Sequence, residues 1–329
     1  MNQRNANDAA NVRYWQFLTG RDFQQLDKQK VVVTVTCSPL EVHGPHLPVV
    51  ADNFEAEALT TRIIELLGVR HPEILFLRLP TIYVAADVVP HSGSLMFRSS
   101  TIVRVLSDLG RTLSRQGFKH IWVGSFHGGP RHFVAIEQAC HLTNKRYGAR
   151  MVSLFSLLAK RLTESTSNLA DVLGPIPGLT PEDLDGDTHA GVIETSLLLF
   201  LLGEHVDPTF RQCRHLTVDS KLIADGKAPR ASKPGRASPL QLLRGFTAAL
   251  KHFETETYSG NPAIASADIG KLILDVVAQH SADTLSQLWT GQISLDDCHS
   301  PVWPVKWIFL SPSISRIFEW AVRYRNPIF

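Results

Sequence analysis

The run Val31 to Cys37 (VVVTVTC) carries no charged residue and is almost entirely β-branched. A stretch of that kind has no polar face to turn to water, so it reads as a central strand covered by helices on both sides. The rest of the first half agrees. Ile74–Leu79, Ile121–Ser125 (IWVGS) and Met151–Phe155 (MVSLF) are further strand candidates. Between them lie helical patterns at Asn53–Leu67, Ser100–Arg115 and Phe133–Tyr147, the second with Ile102, Leu106, Leu109 and Leu113 on one face. Strand alternating with helix predicts an α/β fold with a mostly parallel sheet flanked by helices on both faces.

The second half is less regular. Gly174–Asp187 is rich in Pro, Gly and Asp and predicts a surface loop, which leads into a helix at THAGVIETSLLLFLL. Lys221–Pro239, with its five basic residues, three prolines and two glycines, predicts a mobile loop at about 219–239. Ser266–Leu288 predicts a long amphipathic helix. The body is therefore expected at 30–289, with an N-terminal extension at 1–29. A C-terminal extension at 290–329 holds three of the six tryptophans and is expected to pack on the body or on a neighbouring subunit.

Composition narrows the function. Lys+Arg 33 against Asp+Glu 31 leaves no basic footprint for nucleic acid or an anionic membrane. The polar start MNQRNANDAANVRYW lacks a signal-peptide core, and the longest apolar run, SLLLFLLG, falls short of the ~20 residues of a membrane span. Cys37, Cys140, Cys213 and Cys298 are widely spaced, as in a reduced cytoplasmic protein. A small-molecule substrate is the expected partner.

Chemistry concentrates at two predicted strand ends, where parallel sheets collect functional groups. After the first strand comes LEVHGPHLPVVAD, with Glu41, His43, His46 and Asp52 and no lysine or arginine. After IWVGS comes FHGGPRH, with His127 flanked by Gly128 and Gly129. Glu41, His43 and Asp52 are donors that zinc, manganese or iron selects, and converging carboxylates without a cation would repel. Taken singly, Asp52 would be an ordinary helix N-cap and each histidine a surface residue. The conjunction points to a metal site.

These residues carry a resemblance to the creatininase family of amidohydrolases. ExHGxHLPxxxD is matched in spacing by Glu41, His43, Gly44, His46, Leu47, Pro48 and Asp52. SFHGGPR resembles the family's N-G-H-G-G-N, with Ser125 and Pro130 replacing the asparagines. H-A-G-x-x-E-T-S is intact at His189–Ser196; HSGSL (His91–Leu95) and YSGNPAIASADIG (Tyr258–Gly270) resemble two more motifs, in order.

The resemblance implies a metal-dependent hydrolase of a C–N bond in a cyclic or small linear amide, working through two divalent ions and their activated water. Zinc is expected first, with manganese or iron as alternatives. Glu41, Asp52 and His127 would hold one ion; His43 and a shared Asp52 would hold the other with a further glutamate. In creatininase that glutamate lies two residues after the histidine matching His127, where this chain has Gly129, and Glu194 is the substitute candidate. His189 is the expected acid/base, with Glu194 beside it; His46 would support the metal site; His91, Ser94, Gly128 and Asp187 are substrate-contact candidates. A homo-oligomer, hexamer or smaller, is also implied. The competing readings are a binding or assembly subunit without catalysis, and an isomerase or ring hydrolase acting on a non-amide carbonyl.

Overall fold

The computed structural model describes residues 11–164, 176–184, 186–226 and 239–328. Its sheet is five-stranded and parallel, built from β1 (Val12–Tyr14), β2 (Val31–Thr36), β3 (Leu75–Arg78), β4 (His120–Gly124) and β5 (Arg150–Ser153), in the order β1-β3-β2-β4-β5. All of β2 is buried. Its side chains divide by parity: Val32 joins one core and Val31, Val33 and Val35 the other.

The helices are α1 (Gly20–Gln25), α2 (Ala51–Arg70), α3 (Ser99–Arg115), α4 (Pro130–Tyr147), α5 (Leu154–Glu164), α6 (Val192–Leu202), α7 (Val218–Ala224), α8 (Pro239–Phe253), α9 (Ala267–Trp289), α10 (Trp307–Leu310) and α11 (Pro312–Ala321). Leu59 and Ile63 of α2, Leu197 of α6 and Ile273 of α9 pack on the face of Val32, Phe76 and Trp122. Ile102 and Leu106 of α3 and Ile136 of α4 pack on the face of Val33, Ile121 and Val123. The chain thus leaves β2 towards one face and β4 towards the other. The crevice between these neighbouring strand ends is the topological switch point of the sheet.

Two expectations change. Val12–Tyr14, expected inside an N-terminal extension, pairs in parallel with β3, Val12 beside Phe76. Trp15 then packs on Phe23 and Phe118, with ring centroids 4.6 and 5.5 Å away. A three-residue edge strand is too short to show a period. The loop expected at about 219–239 begins as helix α7, because Thr217 and Ser220 form a reciprocal capping box; its remainder, 227–238, lies outside the described residues.

The C-terminal segment lies against the body. Ser300 donates to the buried Glu137 from both its backbone N–H and its hydroxyl, and Arg131 pairs with Glu319. No helix among the described residues is long and apolar enough to cross a membrane.

α9 crosses α6 at Gly270, where an added Cβ would lie 2.0 Å from the Ser196 carbonyl oxygen. Backbone cannot yield as a side-chain tip can. Gly270→Ala is expected to lower unfolding free energy by about 1–3 kcal/mol or more, the usual cost of overpacking, measured by urea denaturation. Unchanged stability would refute the close crossing.

Candidate metal centre

The segment after β2 is pinned on both sides of Glu41 and His43. The Cys37 N–H donates to the Gly124 carbonyl across the β2–β4 crevice, and the Gly44 N–H donates to Thr257. Gly44 turns at φ 63, and a Cβ there would lie 2.8 Å from the His46 ring, so this turn favours glycine twice over. Asp52 arrives in the first turn of α2.

Glu41, His43, Asp52 and His127 converge and are almost wholly buried, none more than 4% exposed. Glu41 spends Oε1 on the Val89 N–H at 2.6 Å. Its Oε2 lies 2.9 Å from His127 Nδ1, which is also 3.8 Å from Asp52 Oδ2. On the other side of Asp52, the same Oδ2 lies 3.4 Å from His43 Nε2, and Glu194 Oε2 lies 3.8 Å from that nitrogen. Asp52 therefore stands between two groups of donors: Glu41, Asp52 and His127, and His43, Asp52 and Glu194.

Backbone carbonyls set both imidazoles. His127 Nε2 donates to Ala86 O at 3.1 Å, and His43 Nδ1 donates to Glu41 O at 3.0 Å. Since a carbonyl only accepts, these nitrogens carry the protons and the opposite lone pairs face the carboxylates. Glu41 Oε2, His43 Nε2 and Asp52 Oδ2 have no hydrogen-bond partner although buried. Oxygen and imidazole donors, dehydrated and mutually facing, fit a divalent cation. Without one, the histidines take up the charge. Burial alone would lower both, but Glu41 and Asp52 hold His127 up at about 9, and Asp52, Glu194 and Glu41 hold His43 well above 6.5.

The remaining candidates fall into two kinds. His189 is in the centre: its ring centroid is 4.2 Å from that of His43, and it groups with Glu41 and His43. Its Nε2 donates to Val42 O at 2.9 Å. Glu194 is held by the Ala190 N–H, which Ala190 presents from a left-handed φ of 47. His46 stands behind, with Nε2 hydrogen-bonded to Thr195 Oγ1 at 2.8 Å; burial first, then the neighbouring His43 charge, lowers its pKa to about 4. Among the expected substrate contacts, Gly128 is exposed. The other three have partners within the chain. Ser94 Oγ accepts from Val42 N–H, His91 Nε2 donates to Phe253 O, and Asp187 Oδ2 accepts from Ile193 N–H at the start of α6.

Gly129 is explained by packing: a Cβ there would lie 2.6 Å from His127 Nε2 and 2.7 Å from Asp87 Cβ. Asp87, in turn, sits at φ 61 and accepts from the Arg131 N–H at 2.6 Å, which fixes the backbone beside Ala86. Asp87, His132 and Glu55 were not picked out by the sequence reading. His132 is buried beside His127, with its Nε2 3.1 Å from Ser125 Oγ. Glu55 was visible only as a second acidic residue one helical turn after Asp52.

A family model described as creatinine amidohydrolase matches residues 16–285. The mycofactocin precursor peptide peptidase of Mycolicibacterium smegmatis (strain ATCC 700084 / mc(2)155) is 24% identical over 265 residues, spanning 80% of this chain and 88% of that protein. Among solved structures, a putative creatinine amidohydrolase from Bacteroides fragilis NCTC 9343 superposes with TM-score 0.58 at 18% identity, covering 85% of this chain and 97% of that one. A manganese creatininase superposes with TM-score 0.56 at 19% identity, covering 84% and 98%.

The raised His127 pKa sets a pH test on metal-free protein. A histidine at 6.5 unfolded and about 9 folded contributes stability that is complete below pH 6.5 and lost as pH rises through about 9. Chelator-treated protein is expected to lose melting temperature across that window, and saturating zinc or manganese to abolish the step by replacing the proton. Equal slopes with and without metal would contradict the arrangement.

Proposed function

The chain belongs to the creatininase family, and on that premise we propose that it is a metal-dependent hydrolase of an amide C–N bond. The observation that carries this reading is Asp52 Oδ2, buried without a hydrogen-bond partner between His43 Nε2 and His127 Nδ1. A single carboxylate oxygen facing two imidazole lone pairs is suited to serving two adjacent cations, with zinc the first choice and manganese or iron the alternatives. Glu41 and His127 would complete one position, and His43 and Glu194 the other. Divalent cations there would supply a water acidified to pKa ~7 and a Lewis acid for the substrate carbonyl.

The chain's own residues would do the rest. His189 is the proposed acid/base, passing a proton to the departing nitrogen. Support comes from its nitrogen lying within 4.8 Å of ligand atoms on Glu41 and His43, with the ring anchored by the Val42 carbonyl. Burial of the donors excludes bulk water, which strengthens every electrostatic contact inside. The proposed substrate is a cyclic or small linear amide. A peptide bond is the second reading, favoured by the match to the mycofactocin precursor peptide peptidase.

Four measurements test this. Lactams, formamides, cyclic ureas and short peptides are screened before and after chelation, and activity is expected to vanish with the metal and return on its addition. Reaction in 18O-water is expected to place label in the carboxyl product; an unlabelled product would favour isomerisation. Asp52→Asn is expected to lower kcat/KM at least about 100-fold with loss of metal. His189→Ala should lower kcat while keeping the metal, and loss of metal in that variant would make His189 a ligand instead.

A further inference from the structure

Glu55 has no role in the site so far described, and nothing in its surroundings explains it as structure. It lies on α2, three residues after Asp52, so the two carboxylates share one side of the helix. It is 1% exposed, and neither of its carboxylate oxygens has a hydrogen-bond partner. Burial, then the neighbouring Glu194 and Asp52 carboxylates, hold its carboxyl well above the usual carboxylate range, with His43 opposing them. Those three form the second donor group. A carboxyl buried unpaired beside two others keeps its proton unless something positive joins them.

The charges of the centre say what that is. Glu41, Asp52, Glu55 and Glu194 are all acidic. Among the described residues, the ion pairs formed by Glu41, Asp52 and Glu194 are with His43 and His127 alone, and none involves lysine or arginine. Two divalent cations would match four carboxylates once Glu55 gives up its proton; with one, Glu55 would keep it. Glu41 Oε2 faces His127, so Glu55 and Glu194 are the acidic groups on the His43 side. The position where creatininase carries a glutamate is closed here, because a Cβ on Gly129 would collide with His127 and Asp87.

Resting on the metal-dependent reading above, we propose that Glu55 sets the affinity of the second metal position, supplying from α2 the negative charge that Gly129 cannot. Glu55 does not itself join a group of donor atoms within 4.8 Å of one another. Its role is that of a positioning residue, acting on the second cation through the field and the occupancy of the His43, Asp52 and Glu194 group.

Stepwise titration of metal-stripped full-length protein with zinc and with manganese, followed calorimetrically and by native mass spectrometry, tests this without an activity assay. Wild type is expected to bind two ions per chain. Glu55→Gln, which keeps the shape and removes the charge, should weaken only the second ion, by about 10–100-fold. Glu55→Asp, which keeps the charge, should retain it more tightly than Glu55→Gln does. Two ions bound to Glu55→Gln with wild-type affinities would overturn the proposal, as would equal weakening by Gln and Asp. A single ion in wild type would remove the second position, and this inference with it, while leaving the hydrolase reading standing. No ion at all would overturn both.

Discussion

Two carboxylates, Glu41 and Asp52, share one small dehydrated volume with two imidazoles, and the surrounding structure is organised to keep them there. Carboxylates brought that close would ordinarily protonate or move apart. Here moving apart is closed, and without a cation the proton goes to His43 and His127. Glu41 is tethered by the Val89 N–H, and Asp52 is fixed by its place in the first turn of α2. The histidines cannot simply rotate to donate, because each has its distal nitrogen held by a backbone carbonyl. What remains is a set of lone pairs facing one another, which a cation satisfies and a proton satisfies only in part.

The fold makes this convergence possible through its connectivity. β2 and β4 are neighbours in the sheet, but their chains depart to opposite faces, so their first loops part and leave a crevice. Across it the Cys37 N–H reaches the Gly124 carbonyl, which fixes the spacing of the two loops. A third segment closes the assembly. Asp87 adopts a left-handed backbone, and that bend presents Ala86 O to His127. The same bend fills the space beside Gly129, so the choice of glycine there and the setting of His127 are one constraint.

Much of this was legible in the sequence, for a physical reason. Parallel strands buried on both faces are written as contiguous β-branched runs, and β2 to β5 were found within a residue or two. Glu41 and His43 lie in a loop and Asp52 in the first turn of the next helix, and their clustering has no structural reason. What failed to show was whatever depends on tertiary context. β1 is three residues long. Ser94 and Asp187 are polar loop residues whose bonds to Val42 and Ile193 give no local signal. Glu55 is the clearest case. The segment DNFEAEALTTR offers Glu55 and Glu57 as equivalent helix glutamates, yet Glu57 pairs with Arg78 and Thr81 while Glu55 is buried without a partner. Only the placement of α6 distinguishes them.

The candidate metal centre and the C-terminal segment are linked through Arg131. The centre is made from segments inside the family match, 16–285. Arg131 begins one turn from His127, and it joins Asp87 to Glu319 of the C-terminal segment, which lies beyond that match. Further contacts run the same way: the Arg325 N–H donates to Glu254, and Asn326 reaches Met96. The C-terminal segment is thus tied to Asp87, next to the Ala86 carbonyl that sets His127. A family match names a fold and its site; which molecule a site accepts depends on the residues around it.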